Sequence, residues 1–166
     1  MAAVDSARYL ALSTAAAADT VLKKPTPPQG KLFVFDTRSG AITNQIEPVA
    51  KARELGPVAA GRGTRVLGAT RQGRQTILWL ADVVDAKVLK SVSLPVATAG
   101  CLVDGPDNHS WTIMDGVLVR IDKDDLTIQP VGKLPRAGRF VFSGKDVYFA
   151  QGPALCRIKD VVPADK

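Results

Sequence analysis

The single histidine of this 166-residue chain, His109, stands between Asp107 and Ser110 in the run Asp-Gly-Pro-Asp-Asn-His-Ser. A base, a carboxylate and a hydroxyl are the parts of a nucleophilic triad. A triad's geometry, however, is assembled from separate segments and not from neighbours in one turn. The run therefore reads as turn chemistry. Two Asp-rich stretches, 104–108 and 122–125, offer oxygen ligands of the kind Ca²⁺ takes, yet neither has the spacing of an EF-hand loop. Cys101 and Cys156 lie 55 positions apart, with no Cys-x-x-Cys and no histidine beside either. That spacing speaks against structural zinc and leaves two small buried side chains, or a disulfide. No Gly-x-Ser-x-Gly, phosphate loop or dinucleotide fingerprint is present. From these residues no catalytic group, no metal site and no cofactor is expected.

Cationic side chains are the remaining chemistry. The chain carries a net charge of +6. Its Lys and Arg do not form a dense block interleaved with aromatics, so nucleic acid is a disfavoured partner. No run approaches the eighteen or so apolar residues of a membrane span. The N-terminal twenty residues have small and apolar members, but Ser13 and Thr14 interrupt them. They read as a strand followed by a surface loop, with a secretion signal as the alternative.

What positions the charges is a repeat. Residues 31–42 read Lys-Leu-Phe-Val-Phe-Asp-Thr-Arg-Ser-Gly-Ala-Ile: alternating apolar residues, an Asp, a polar turn, and a second run. Residues 78–88, 118–128 and 155–160 follow the same plan. Asp36, Asp82 and Asp122 recur 46 and 40 residues apart, the scale of a stacked repeat. The Asp itself reads as a cap on the turn's own amides. After the turn comes a strand that ends near a Pro. A short strand of small residues follows, then a turn, then a strand leading back to the Asp motif. Each unit thus holds four short antiparallel strands joined by Gly, Asp and Asn turns. A tight first strand of Gly and Ala is what a β-propeller blade needs beside a crowded axis, with Trp79 and Trp111 packed between blades.

The Phe-Asp-Thr-Arg-Ser-Gly-Ala-Ile stretch resembles the Asp-x-x-Ser/Thr-Gly-x-Val/Ile turn of the WD-repeat-like and YVTN-like propeller superfamily, and the resemblance spans about residues 8–160. It implies an all-β chain: a β-propeller-like array of four-stranded antiparallel blades, with units near 8–54, 55–96, 97–136 and 137–160. The first unit lacks its inner strand on this reading and the last its outer one. The array is then an incomplete ring, as a single propeller-like domain or a fragment. An open ring leaves apolar faces and strand edges that favour self-association or a second chain completing the ring.

A meander sends alternate loops to opposite ends. One end takes windows 15–31, 47–55, 71–74 and 134–139, with Lys23, Lys24, Lys31, Lys51, Arg53, Arg71, Arg74, Arg136 and Arg139 against only Asp19, Glu47 and Glu54. It also holds the Pro-rich insertion 15–30, a lid or a solvated tip. The other end is net acidic. The expected function is a non-catalytic binding or scaffold module that recognises a protein or anionic ligand through Lys23, Lys24, Lys51, Arg53, Arg71, Arg74, Arg136 and Arg139. The alternative is a segment of a propeller enzyme, lactonase-like or a quinone-type oxidoreductase, whose site other blades complete.

Overall fold

The computed structural model describes residues 1–14, 29–97, 100–134 and 138–162. Fifteen strands and no helix are found among them. The first sheet holds β1 (Ala2–Val4), β2 (Tyr9–Ser13), β3 (Leu32–Asp36) and β4 (Ala41–Ile46). The second holds β5 (Val58–Ala60), β6 (Arg65–Gln72), β7 (Gln75–Asp82) and β8 (Lys87–Leu94). The third holds β9 (Val103–Asp104), β10 (Ser110–Met114), β11 (Val117–Ile121) and β12 (Ile128–Lys133). The fourth has β13 (Phe140–Ser143), β14 (Asp146–Gln151) and β15 (Ala154–Ile158). In every sheet the strands lie side by side in chain order, all antiparallel.

Alternation explains how the sheets stack. Successive side chains of a strand leave on opposite faces, so each sheet has a front, toward its predecessor, and a back, toward its successor. Ala11, Leu32 and Val34 on the back of the first sheet meet Val66, Trp79 and Ala81 on the front of the second. Leu67, Leu78 and Leu80 on the second sheet's back meet Met114, Val119 and Ile121 on the third. Trp111, Ile113 and Leu118 then meet Phe140, Val147 and Phe149 on the fourth. Both tryptophans are fully buried between sheets, as their sequence context implies. The short inner strand β5 touches β1 on one side and β9 on the other. The sheets therefore fan from short inner strands, Ala-rich in the first two sheets and carrying Phe140 and Phe142 in the fourth, and they do not close into a ring.

Two features differ from the sequence reading. The first unit does have an inner strand: β1 pairs Ala2 with Ala11 and Val4 with Tyr9. Its three residues were too few to show an alternating pattern. They reach β2 through a tight turn in which Asp5, Ser6 and Ala7 all take positive φ. The cysteines are free and only half-buried, so neither full burial nor a disulfide describes them. The insertion expected over 15–30 lies outside the described residues except for its last two, where the Gly30 N–H donates to the Ala52 carbonyl at 2.6 Å.

Candidate functional site

The three repeated aspartates are turn caps. Asp36 Oδ1 accepts from the Arg38 N–H at 2.8 Å. Asp82 Oδ1 accepts from Val84 and Asp85 at 2.9 and 3.0 Å. Asp122 Oδ1 accepts from Asp124 and Asp125 at 2.7 and 3.1 Å. Burial raises the Asp82 carboxyl, but the Asp85 amide, the Thr64 hydroxyl and the Val84 amide outweigh it and hold the group below its usual value. A carboxylate that accepts its own turn's amides is fixed in place and committed.

Most other acids at this end of the fan are also committed. Asp124 meets Arg62 at 2.9 Å and Arg65 at 3.2 Å, which ties the second sheet to the third. Lys123 is buried and pairs with Asp104 at 2.8 Å. Asp107, with a 3% exposed side chain, accepts from Trp111 Nε1 at 2.9 Å and lies 2.9 Å from Arg120 Nε. His109 sits in the same knot, with Nδ1 2.9 Å from the Asp107 carbonyl and Nε2 3.1 Å from Arg120 Nη2. Ser110 is fully buried and makes no hydrogen bond to the ring. The Asp-His-Ser run is thus a structural clamp over Trp111. Among the described residues no group of three or more His, Cys, Asp or Glu is arranged to hold a metal ion.

The opposite end is built differently. Leu55 is fully buried and anchors the β4–β5 connection from three sides. Its N–H donates to the Thr14 carbonyl at 3.2 Å, its carbonyl accepts from Thr70 Oγ1 at 2.8 Å, and beside it the Gly56 carbonyl accepts from Ser13 Oγ at 2.8 Å. Thr70 is itself fixed by Trp79 Nε1 at 2.9 Å. This chain of bonds ties the segment that carries Arg53, two residues before Leu55, to the strand that carries Arg71, the residue after Thr70. Lys51, Arg53, Arg71 and Arg74 are all exposed. The only bond their side chains make among the described residues is Arg71 Nε to the Gly73 carbonyl, at 3.2 Å.

Arg139 is exposed as well. It stands before β13 and near Cys101, whose thiol burial pushes up and Arg139 partly pulls back. Lys23, Lys24 and Arg136 lie outside the described residues. Sequence reasoning missed Asp115, an acid in the β10–β11 turn at the basic end. Its carboxylate accepts from the Ala97 N–H at 3.3 Å and its own N–H donates to the Ala97 carbonyl at 3.1 Å. The Asp-Gly pair at 115–116, between two apolar runs, was the available signal.

No family model matches the chain, and no curated protein matches it. Solved structures do. The crystal structure of the RRP9 WD40 repeats is 12% identical with a TM-score of 0.54, covering 90% of this chain and 41% of that one. The structure of U3-55K is 12% identical with a TM-score of 0.51, over 90% and 42%. TolB from Acinetobacter baumannii is 13% identical with a TM-score of 0.54, over 92% and 37%. The chain spans about two-fifths of each of these three structures. Sheets that fan from small inner strands, matched over nine-tenths of their length by solved propellers, give this chain the fold of a partial β-propeller.

Proposed function

We propose that the chain is a propeller-type binding module whose basic end recognises a protein or ligand of negative charge. One contrast carries the reading. At the acidic end Arg62, Arg65, Lys123 and Arg157 are paired with carboxylates. At the basic end Lys51, Arg53, Arg71 and Arg74 have no carboxylate partner among the described residues, and the Leu55–Thr70–Trp79 bonds hold their backbone in place. Cations on a pre-ordered backbone attract an anion without the entropic cost of ordering loops. Lys23, Lys24, Arg136 and Arg139 extend the same surface in this proposal. The uncovered sheet faces at the two ends of the fan are proposed to take a second chain that completes the ring.

The test of the basic surface is titration of a polyglutamate peptide at several salt concentrations. Each exposed pair contributes up to about 1 kcal/mol, so changing Lys51, Arg53, Arg71 and Arg74 together to Ser should weaken binding about tenfold or more. The salt dependence should flatten as well. Equal affinity and equal salt dependence in the two proteins would retire the proposal. A set of Ser changes at Arg71, Arg74, Arg136 and Arg139 asks whether the surface reaches the fourth sheet.

A further inference from the structure

The fan has two open ends, and they are of opposite kind. On the front of the first sheet Leu10, Leu12, Phe33 and Phe35 are half-buried and Ile42 is 56% exposed. Cross-strand pairs put Leu10 beside Phe35, Leu12 beside Phe33, and Phe35 beside Ile42, so the side chains share one continuous face. This face is equivalent to the one that carries Trp79 and Ala81 in the second sheet, because Phe33 and Phe35 precede Asp36 as Trp79 and Ala81 precede Asp82. On the back of the fourth sheet Val141 is 61% and Leu155 75% exposed, and Tyr148 lies under the Arg157 guanidinium at 5.8 Å from its ring centroid. Val141 pairs with Tyr148, and Leu155 with Ala150.

All three contacts inside the chain set a back against a front. The two ends left over are one front and one back, so each is of the kind the other requires. Resting on the ring-completion reading above, we infer that the second chain is another copy of this one, joined head to tail through both ends. The first sheet's front lies on the partner's fourth-sheet back, and the reverse contact closes the ring. Such a contact is heterologous, and two copies with two contacts form a closed assembly and not a filament. The four-strand front spans roughly 15 by 17 Å and the three-strand back roughly 10 by 17 Å, so the two faces of a chain offer roughly 400 Å² in projection, before side-chain relief is counted. Relief brings this toward the range of about 800 Å² per partner found in stable complexes. Two copies also bring roughly the number of sheets that a propeller holds.

The experiment measures mass in solution across concentration for the wild type, for Ile42→Glu (front) and for Leu155→Glu (back). Both substituted side chains are exposed, and unchanged circular dichroism verifies each fold. Wild type should run at twice the 17.6 kDa chain mass. Each variant alone should dissociate more than about tenfold more readily. Mixing the two variants should restore a pair, because the front of one and the back of the other remain intact. A pair broken by only one of the substitutions is front to front or back to back and overturns the inference, as does an open-ended polymer. A monomeric wild type also overturns it. In that case binding of an apolar dye, lost in Ile42→Glu, would show that the end face still awaits a different chain. A monomer that binds no dye would sink the ring-completion reading too.

Discussion

Replacing Thr70 by Val is an isosteric change at a fully buried side chain, and its cost follows from what the hydroxyl does. Thr70 Oγ1 accepts from Trp79 Nε1 at 2.9 Å and donates to the Leu55 carbonyl at 2.8 Å. Val fills the same volume and leaves both partners buried without a bond. Each orphaned group costs about 1–3 kcal/mol, so Thr70→Val should destabilise by about 2–5 kcal/mol. That is a large share of the roughly 5–15 kcal/mol that holds a domain folded. Thr70→Ser keeps both bonds and loses one methyl, near 1 kcal/mol. Urea unfolding followed by tryptophan emission reads the difference directly. With a slope of about 1–3 kcal/mol per molar, the Val midpoint should fall by roughly 0.7 M or more and the Ser midpoint, at the same slope, by less than half as much.

The pair Thr70→Val and Trp79→Phe sharpens the test. Phe has no ring N–H, so the double variant leaves only the Leu55 carbonyl unpaired. Its cost should fall short of the sum of the single changes by about 1–2 kcal/mol. Because Leu55 also donates to Thr14, amide exchange at Leu55 should quicken in the Val variant ahead of global unfolding. A Val variant within about 0.5 kcal/mol of the Ser variant, or strictly additive effects, would refute the idea that this bond chain holds the basic end together.

Gly68 faces Trp79 across β6 and β7, and a Cβ there would lie only 2.0 Å from Cζ2 of the indole ring. Gly68→Ala should therefore cost about 1–3 kcal/mol or more through overpacking, read as a lower melting temperature, and an unchanged melt would contradict the ring's placement. The Asp82 carboxyl is held below its usual value, so its contribution to stability is present above the unfolded value near ~3.9 and is lost as pH falls through the lower folded one. Asp82→Asn should be less stable than wild type at pH 6, and the two should converge near pH 2; a gap that persists in acid would mean the charge is not the cause.

Three Asp turns and their recurrence after 46 and 40 residues made the sheets legible, because a cap needs its own residue type at a fixed place and leaves a mark in the sequence. Asp36, Asp82 and Asp122 behave as that pattern implies. β1 left no such mark: Ala2–Val4 is too short to alternate, and its turn relies on positive φ at Asp5, Ser6 and Ala7 in place of a Gly. The division of loops between two ends was readable from strand order alone. Which charges remain uncommitted was not, because Asp124 finds Arg62 and Arg65 only when the second and third sheets are stacked. That an open ring has apolar ends followed from the strand count, but which residues form each end was hidden for a deeper reason. Leu10, Leu12, Phe33 and Phe35 alternate just as the covered residues of the second sheet do, and a period of two records that a face is apolar, not what lies on it. In a stack, coverage belongs to the neighbour. An end sheet with the pattern of an interior one is an apolar surface at odds with solvent, and three contacts of one sense fix the sense that the next must have.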